Sequence, residues 1–538
     1  MDVVVIGSGH NGLVAAAYLA RAGLEVAVLE RNAVAGGAVA SEELTEPGYV
    51  HDTFSSWHPL FKLSAAFAEL GEELATRGLR YAETPEETTA NVRGDGRAIV
   101  AYRDPARTAE GFAPRDRDAY LAEVERFGAT IPIVGELLGS ELHSPAAVRL
   151  ASTLALRLRR RGTLALAADV VSSARGWFET RFAGPEVGEL YAPWALHVGL
   201  PPEGAGSGFQ VLAIAASLHA VGLPVVRGGA AGFVRAFERL IGERGGSVRT
   251  GAEVTRILTR GGRATGVEVG GERLGAARAV IANTTPTALY GRLLEPGAAP
   301  AGATEQALRF RYSARAGMQI HVALAEPLRW RDRRLDRVPV VHLSDGPDSV
   351  SLACAQAAAG LLPAAPTIVL GQPAVVDPSR APAGAGILWI QLQQVTYAPR
   401  GDAAAEIEVG EGGWRDEAMV SAFTERVLAR LAPHVENWPA ARRSSAALSP
   451  LELERRNPNL VRGDIYAGDC ELSQSYLWRP LASHGSHRTP VANLYHCGAS
   501  THPGPGLNAA SGRIVGLAAA GTPRRAARAL ARARALAG

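Results

Sequence analysis

The sharpest periodicity in the chain lies at its beginning. Val3-Val4-Val5-Ile6 is a continuous apolar run, the pattern of a strand buried on both faces. Leu13, Ala16, Ala17 and Ala20 then recur at helical spacing, and Gly23 closes that helix. Val26, Val28 and Leu29 form a second strand. A similar block recurs mid-chain, where Phe233, Phe237, Leu240 and Ile241 mark one helix face. Strands are predicted after it around Ser247–Arg249 and Val254–Leu258, then a hairpin at Gly261-Gly262, strand residues Val267 and Val269, and a last strand at Ala279–Ala282. A third block holds a short strand from Leu494 to Cys497, a turn rich in Gly and Pro, and a small-residue helix from about Leu507.

The intervening segments differ in character. Residues from about 81 to 224 read as largely helical with strands near their start, and residues from about 291 to 487 mix strand patterns with Pro-rich loops. No internal repeat is visible. The three blocks (1–80, 225–290 and 488–538) are expected to build one discontinuous nucleotide domain of α/β class. Residues 81–224 and 291–487 are expected to build an α+β substrate or cap domain, with the site at the seam.

Composition narrows the classes of function. An apolar fraction of 47% and a charged fraction of 20% describe a globular chain. A net charge of +3, from 56 basic and 53 acidic residues, gives no footprint for nucleic acid. Cys354, Cys470 and Cys497 are widely spaced, so neither a disulfide scaffold, a zinc site nor a dithiol centre is supported, and no metal ligand set is assigned. The first strand begins at once, without a secretory pattern, and no apolar run reaches a membrane span. A cytoplasmic location follows as an expectation, with peripheral contact to a membrane left open.

Gly7-Ser8-Gly9-His10-Asn11-Gly12 lies between the first strand and the first helix. Its glycines suit a tight turn, close approach of backbone to a pyrophosphate, and close helix–strand packing. The helix start offers unpaired N–H groups to phosphate. Glu30 ends the second strand 18 residues after Gly12, where a carboxylate accepts hydrogen bonds from ribose hydroxyls and repels a 2′-phosphate. These features together point to a dinucleotide.

After Glu30-Arg31 come Gly36-Gly37-Ala38, paired glycines suited to a second backbone approach to the pyrophosphate. At this point the sequence resembles the FAD-binding signature of the phytoene desaturase and amine oxidase superfamily. Val226-Arg227-Gly228-Gly229 with Ala252-Glu253-Val254 resembles its middle block, which implies adenine contact through the Val254 backbone. Asn493 to Gly506, containing Gly498, Ala499, Gly504 and Gly506 and followed by Leu507, resembles its C-terminal flavin motif. Looser matches at Val376-Asp377-Pro378, Leu388-Trp389-Ile390 and Arg479-Pro480 are similar to the branch that holds β-carotene ketolases and the animal pyridine nucleotide-disulfide oxidoreductase domain-containing protein 2. The resemblance implies a Rossmann-type, glutathione-reductase-like FAD domain, doubly wound and interleaved with the substrate domain. It further implies an FAD-dependent oxidoreductase of carotenoid-biosynthesis type, acting by desaturation or ketolation on an apolar isoprenoid substrate.

Such chemistry asks little of side chains beyond a dry tunnel over the flavin. His502 is the candidate catalytic group, as acid/base or orienter, with a turn-fixing role as the alternative. His51, Asp52, Trp57 and His58 follow the double glycine and are read as mainly structural. Tyr191, Trp194 and His197 fall at helical spacing, as do apolar residues from Val211 to Leu218; they line a tunnel or fill a cap core. Arg157, Arg159, Arg160 and Arg161, and a tail helix with Arg524, Arg525, Arg528 and Arg532, are candidate contacts for anionic lipid. Two other readings stay open: a flavin oxidase or dehydrogenase of a smaller biosynthetic intermediate, and a flavoprotein scaffold without turnover.

Overall fold

The computed structural model describes residues 1–521. The tail arginines from Arg524 onward lie outside the described residues.

Three separated stretches of chain meet in a parallel five-stranded sheet. Its order is Leu494–His496, Ala279–Ala282, Val3–Ile6, Val26–Leu29 and Ser247–Arg249. Every neighbouring pair is parallel, with Val5 opposite both Ile281 and Val28. The three central strands are entirely buried, which explains their unbroken apolar runs. Helix His10–Arg21 covers this sheet and packs on helix Ala510–Ala520. Small residues permit that approach. A Cβ on Gly512 would stand 2.3 Å from the Asn11 carbonyl oxygen, and one on Gly516 would stand 2.9 Å from Tyr18 Cβ.

A second, seven-stranded sheet carries the remaining strands. It runs Arg442–Leu448, Ala316–Leu324, Gly386–Val395, Ile368–Gly371, Val340–Leu343, Glu87–Val92 and Ala98–Tyr102. All its pairs are antiparallel except Val340–Leu343 with Glu87–Val92. Helices Pro114–Leu138 and Ser207–Val221, with the helical stretch Pro145–Val171 that breaks at a kink at Arg159, form the mostly helical segment expected before residue 224.

Two local expectations need correction. The C-terminal helix begins at Ala510 rather than near Leu507, because Ala509 adopts a left-handed φ of 61° and the Asn508 side chain accepts from the Ala510 amide at 2.9 Å. Tyr191 ends one helix while Trp194 and His197 fall in the 3₁₀ turn Ala192–Val198, so the three do not share one α-helical face.

Candidate active site

The first turn of helix His10–Arg21 has no side-chain cap, so its leading amides are left for a ligand. The loop before it is held open by crowded backbone. A Cβ on Gly12 would sit 2.3 Å from the Gly7 carbonyl, one on Gly9 2.9 Å from Asn283 Nδ2, and one on Gly37 3.1 Å from Gly9 Cα. Gly36, at φ 125°, places its amide on Ser8 Oγ at 3.0 Å.

Glu30 accepts from the Ser8 amide at 3.0 Å and hydroxyl at 2.7 Å through Oε2, and from the Asn32 amide at 2.9 Å through Oε1. Those bonds fix the carboxylate at the strand end and leave it acceptor capacity for ribose hydroxyls. Asn283, at the end of strand Ala279–Ala282, donates to the carbonyls of Gly7 (3.3 Å) and Gly9 (3.4 Å) and stands against Gly498. Ser511 accepts from the Gly498 amide at 3.0 Å, and Asn11 Oδ1 from the Gly512 amide at 2.9 Å. Thus Ser8, Gly12 and Gly36 shape the cradle from behind, while Asn11 also faces the cavity. Gly7, Gly9, His10, Glu30, Arg31, Gly37, Ala38, Val254, Gly498, Ala499, Gly504, Gly506 and Leu507 line the cavity itself. This bare-backbone cradle with one acid and an uncapped helix start fits an adenine dinucleotide.

The cavity, about 1150 Å³, does not stop at the cradle. It continues into a chamber walled by Ile131, Pro132, Leu138, Trp194, Ile214 and Leu218 on the helical side and by Val340, Trp389 and Gln391 on the seven-stranded sheet. Trp57 and His197 line it as well, whereas Tyr191 is buried in the helical core with its hydroxyl 2.7 Å from that of Tyr120. Within Val211–Leu218, Ala213, Ile214, Ala216, Ser217 and Leu218 face the cavity and Val211, Leu212 and Ala215 belong to the core.

His502 does not line this cavity. Its ring is fully buried, Nε2 bonds the Leu138 carbonyl oxygen at 2.8 Å, and burial holds it neutral down to about pH 3. His51 bonds Thr45 at 2.8 Å and His58 bonds Tyr81 at 3.0 Å, both in structural settings. Lys62, the chain's only lysine, lies 4.2 Å over the Phe67 ring and off the cavity wall. The three cysteines are buried and unpaired; burial pushes Cys354 up to about 11 and Cys470 up to about 12.

Sequence reasoning gave no site role to three side chains that matter here. Arg479 is fully buried beside Ala499, and its guanidinium donates to the carbonyls of Ala499 (2.8 Å), Asp469 (3.0 Å) and Tyr466 (3.2 Å). Asn457 and Asn459 also line the cavity, Asn459 donating to the Asn283 carbonyl at 3.2 Å. The Asn457-Pro458-Asn459 turn was the one visible hint of that contact.

Residues 12–520 match the family described as flavin containing amine oxidoreductase. The rat pyridine nucleotide-disulfide oxidoreductase domain-containing protein 2 is 27% identical, over 95% of this chain and 92% of its own. A limonene dehydrogenase component from Castellaniella defragrans is likewise 27% identical, over 94% and 91%. Among solved structures, an oxidoreductase from Methanosarcina mazei shares the fold at TM-score 0.61 and 18% identity, covering 96% of this chain and 99% of that one.

Proposed function

The chain belongs to the flavin-containing amine oxidoreductase family and is an FAD-dependent oxidoreductase, and we propose that it dehydrogenates an apolar, isoprenoid-type substrate held in the chamber beside its cofactor. The observation that carries this reading is the continuity of one cavity from the nucleotide cradle into a chamber walled mainly by aliphatic and tryptophan side chains. The limonene dehydrogenase of Castellaniella defragrans, whose component is a relative over most of the chain, is named for an apolar substrate and a dehydrogenation.

When bound, FAD would supply the two-electron acceptor for a dehydrogenation in which a substrate C–H bond gives up a hydride, the neighbouring carbon's proton is released to bulk water and a C=C bond forms. The protein's part is positioning. Glu30, the bare loop glycines and the uncapped helix start hold the adenine dinucleotide, and Asn283 ties the N-terminal loop to the C-terminal turn. Trp57, Trp194 and Trp389 wall the chamber and keep water from the reacting carbon. His502 fixes the turn before Gly504 through its bond to Leu138 and is given no proton-transfer role.

The outer surface supports delivery from a lipid surface. Leu60 and Leu63 line the cavity yet are exposed, at 40% and 50%. Helix Pro145–Val171 packs on two helices that line the chamber and exposes Leu156 (80%) and Leu164 (61%) around Arg157, Arg160 and Arg161. Apolar side chains interleaved with arginines suit an anionic bilayer surface. Among the described residues no helix is long and apolar enough to cross a membrane.

The test is a product assay with phytoene, lycopene and β-carotene in liposomes and with limonene in detergent. A product short of two hydrogen atoms supports the proposal; unchanged substrate in all four assays, and with the oxygenated counterparts carveol and cryptoxanthin as well, overturns it.

A further inference from the structure

The chamber wall formed by the seven-stranded sheet carries polar groups in a row. Register places Gln319 opposite Gln391, Gln391 opposite Val369, and Val369 opposite His342. Residues aligned in this way share one face of a sheet. Gln319 and Gln391 line the chamber directly, and His342 bonds His197, which also lines it, at 3.0 Å between Nε2 atoms. The opposite face of the same strands, with Met318, Ile320, Leu388, Ile390 and Leu392, is aliphatic and buried. A wall that seats only hydrocarbon has no use for amides, since burying them costs free energy unless they find partners.

The hydrogen bonds among these side chains show which groups are spare. Gln393 Nε2 donates to Gln391 Oε1 at 2.8 Å, which orients Gln391 and leaves its Nε2 donor without a partner among the described residues. Gln319 Nε2 is taken by the Phe54 carbonyl at 3.1 Å. His197 Nε2 is taken by His342, and its Nδ1 has no partner among the described residues. The buried atoms Gln319 Oε1, Gln393 Oε1 and Trp194 Nε1 are unpartnered too.

None of these groups is charged. The carboxylates that line the cavity are elsewhere: Glu30 is bonded to its own loop, Glu253 faces Arg292 at 3.3 Å, and Glu136 is exposed on helix Pro114–Leu138. An ammonium group would find no counter-ion on the sheet wall.

We propose that the substrate carries an uncharged oxygen function, a hydroxyl or carbonyl, and that Gln391 reads it through its Nε2 donor, with His197 as the second polar contact on that wall. The inference rests on the isoprenoid reading of the chamber and sharpens it. A site built to hydrogen-bond a substrate oxygen discriminates strongly against the analogue that lacks it, because its own polar groups are then left unpaired.

Two matched pairs test this with the FAD-loaded full chain: limonene with carveol, and β-carotene with cryptoxanthin. Binding is read from perturbation of the flavin absorption band and reactivity from anaerobic flavin reduction. The alcohol of at least one pair is expected to bind roughly tenfold or more tighter than its hydrocarbon. Gln391→Met is expected to shrink that preference to about threefold or less while hydrocarbon affinity holds. Equal affinity within both pairs for the unmodified protein overturns the inference, whatever the variants do. So does a preference that survives both Gln391→Met and His197→Phe. Hydrocarbons that reduce the flavin as well as the alcohols do sink this inference alone, whereas four probes that neither bind nor reduce sink the isoprenoid reading with it.

Discussion

Arg380 and Asp52 form an ion pair with both side chains completely excluded from solvent, Nη2 to Oδ2 2.7 Å apart. Asp52 also accepts from the Ala230 amide and from Ser41 and Ser56, at 2.7, 2.7 and 2.6 Å. Burial pushes its carboxyl up, but Arg380 and these donors outweigh that and hold it below the usual range. Arg380 reaches the pair from the loop before strand Gly386–Val395, so this contact joins the loop after the double glycine to the seven-stranded sheet.

Removing one member leaves a bare charge inside the protein. Arg380→Met is expected to cost about 3–5 kcal/mol in chemical denaturation. Pairing it with Asp52→Asn is expected to cost clearly less than the sum of the two single changes. A loss under about 1 kcal/mol for Arg380→Met goes against a structural role for the pair.

Glu30→Gln keeps the shape of the strand end but loses charge, and its amide nitrogen cannot accept from the Ser8 or Asn32 amides as the carboxylate oxygens do. Roughly tenfold weaker retention of FAD is expected, read as flavin-to-protein ratio after gel filtration. A full complement of flavin at low protein concentration contradicts the assignment.

Burial keeps seven histidines neutral far into acid: His10, His51 and His496 to about 4, and His58, His197, His321 and His502 to about 3. Unfolded, each takes a proton near the ordinary histidine value of 6.5. Between those values the unfolded chain binds more protons, so stability is complete above 6.5 and falls as pH is lowered toward 4. Two such residues together remove about 3 kcal/mol per pH unit once both are well below 6.5. The melting temperature should drop steeply from pH 6.5 to 5; a flat profile there argues against this buried set.

Leu156→Asp with Leu164→Asp should leave FAD content unchanged and lower co-sedimentation with anionic vesicles at least fivefold or so, given the apolar area withdrawn from the interface. Binding that persists in the double variant places lipid contact elsewhere or nowhere.

The cradle was readable from sequence because its parts are local: a run of valines, a glycine turn and an acid at a fixed spacing. Each fixes its neighbours through backbone geometry, and the strand, turn, helix and strand from Val3 to Leu29 fold in the expected order. The C-terminal turn was readable in composition but not in detail, since the helix start after the left-handed Ala509 is held by Asn508 on the Ala510 amide and by the distant Asn11 on the Gly512 amide. The chamber was the least legible part. Gln319, Gln391 and His342 become neighbours only through pairing of strands distant in sequence, with register that no local period reveals. The burial of Arg380 and Arg479 is set by partners 328 and 20 residues away, which no local pattern reveals.

The most direct measurement of the central claim is an anaerobic titration of the FAD-loaded protein with isoprenoid substrate in vesicles, followed by the oxidised-flavin absorption band. Bleaching of that band in step with a dehydrogenated product is the expected result. A band that stays oxidised with every isoprenoid supplied, in protein shown to hold its flavin, contradicts it.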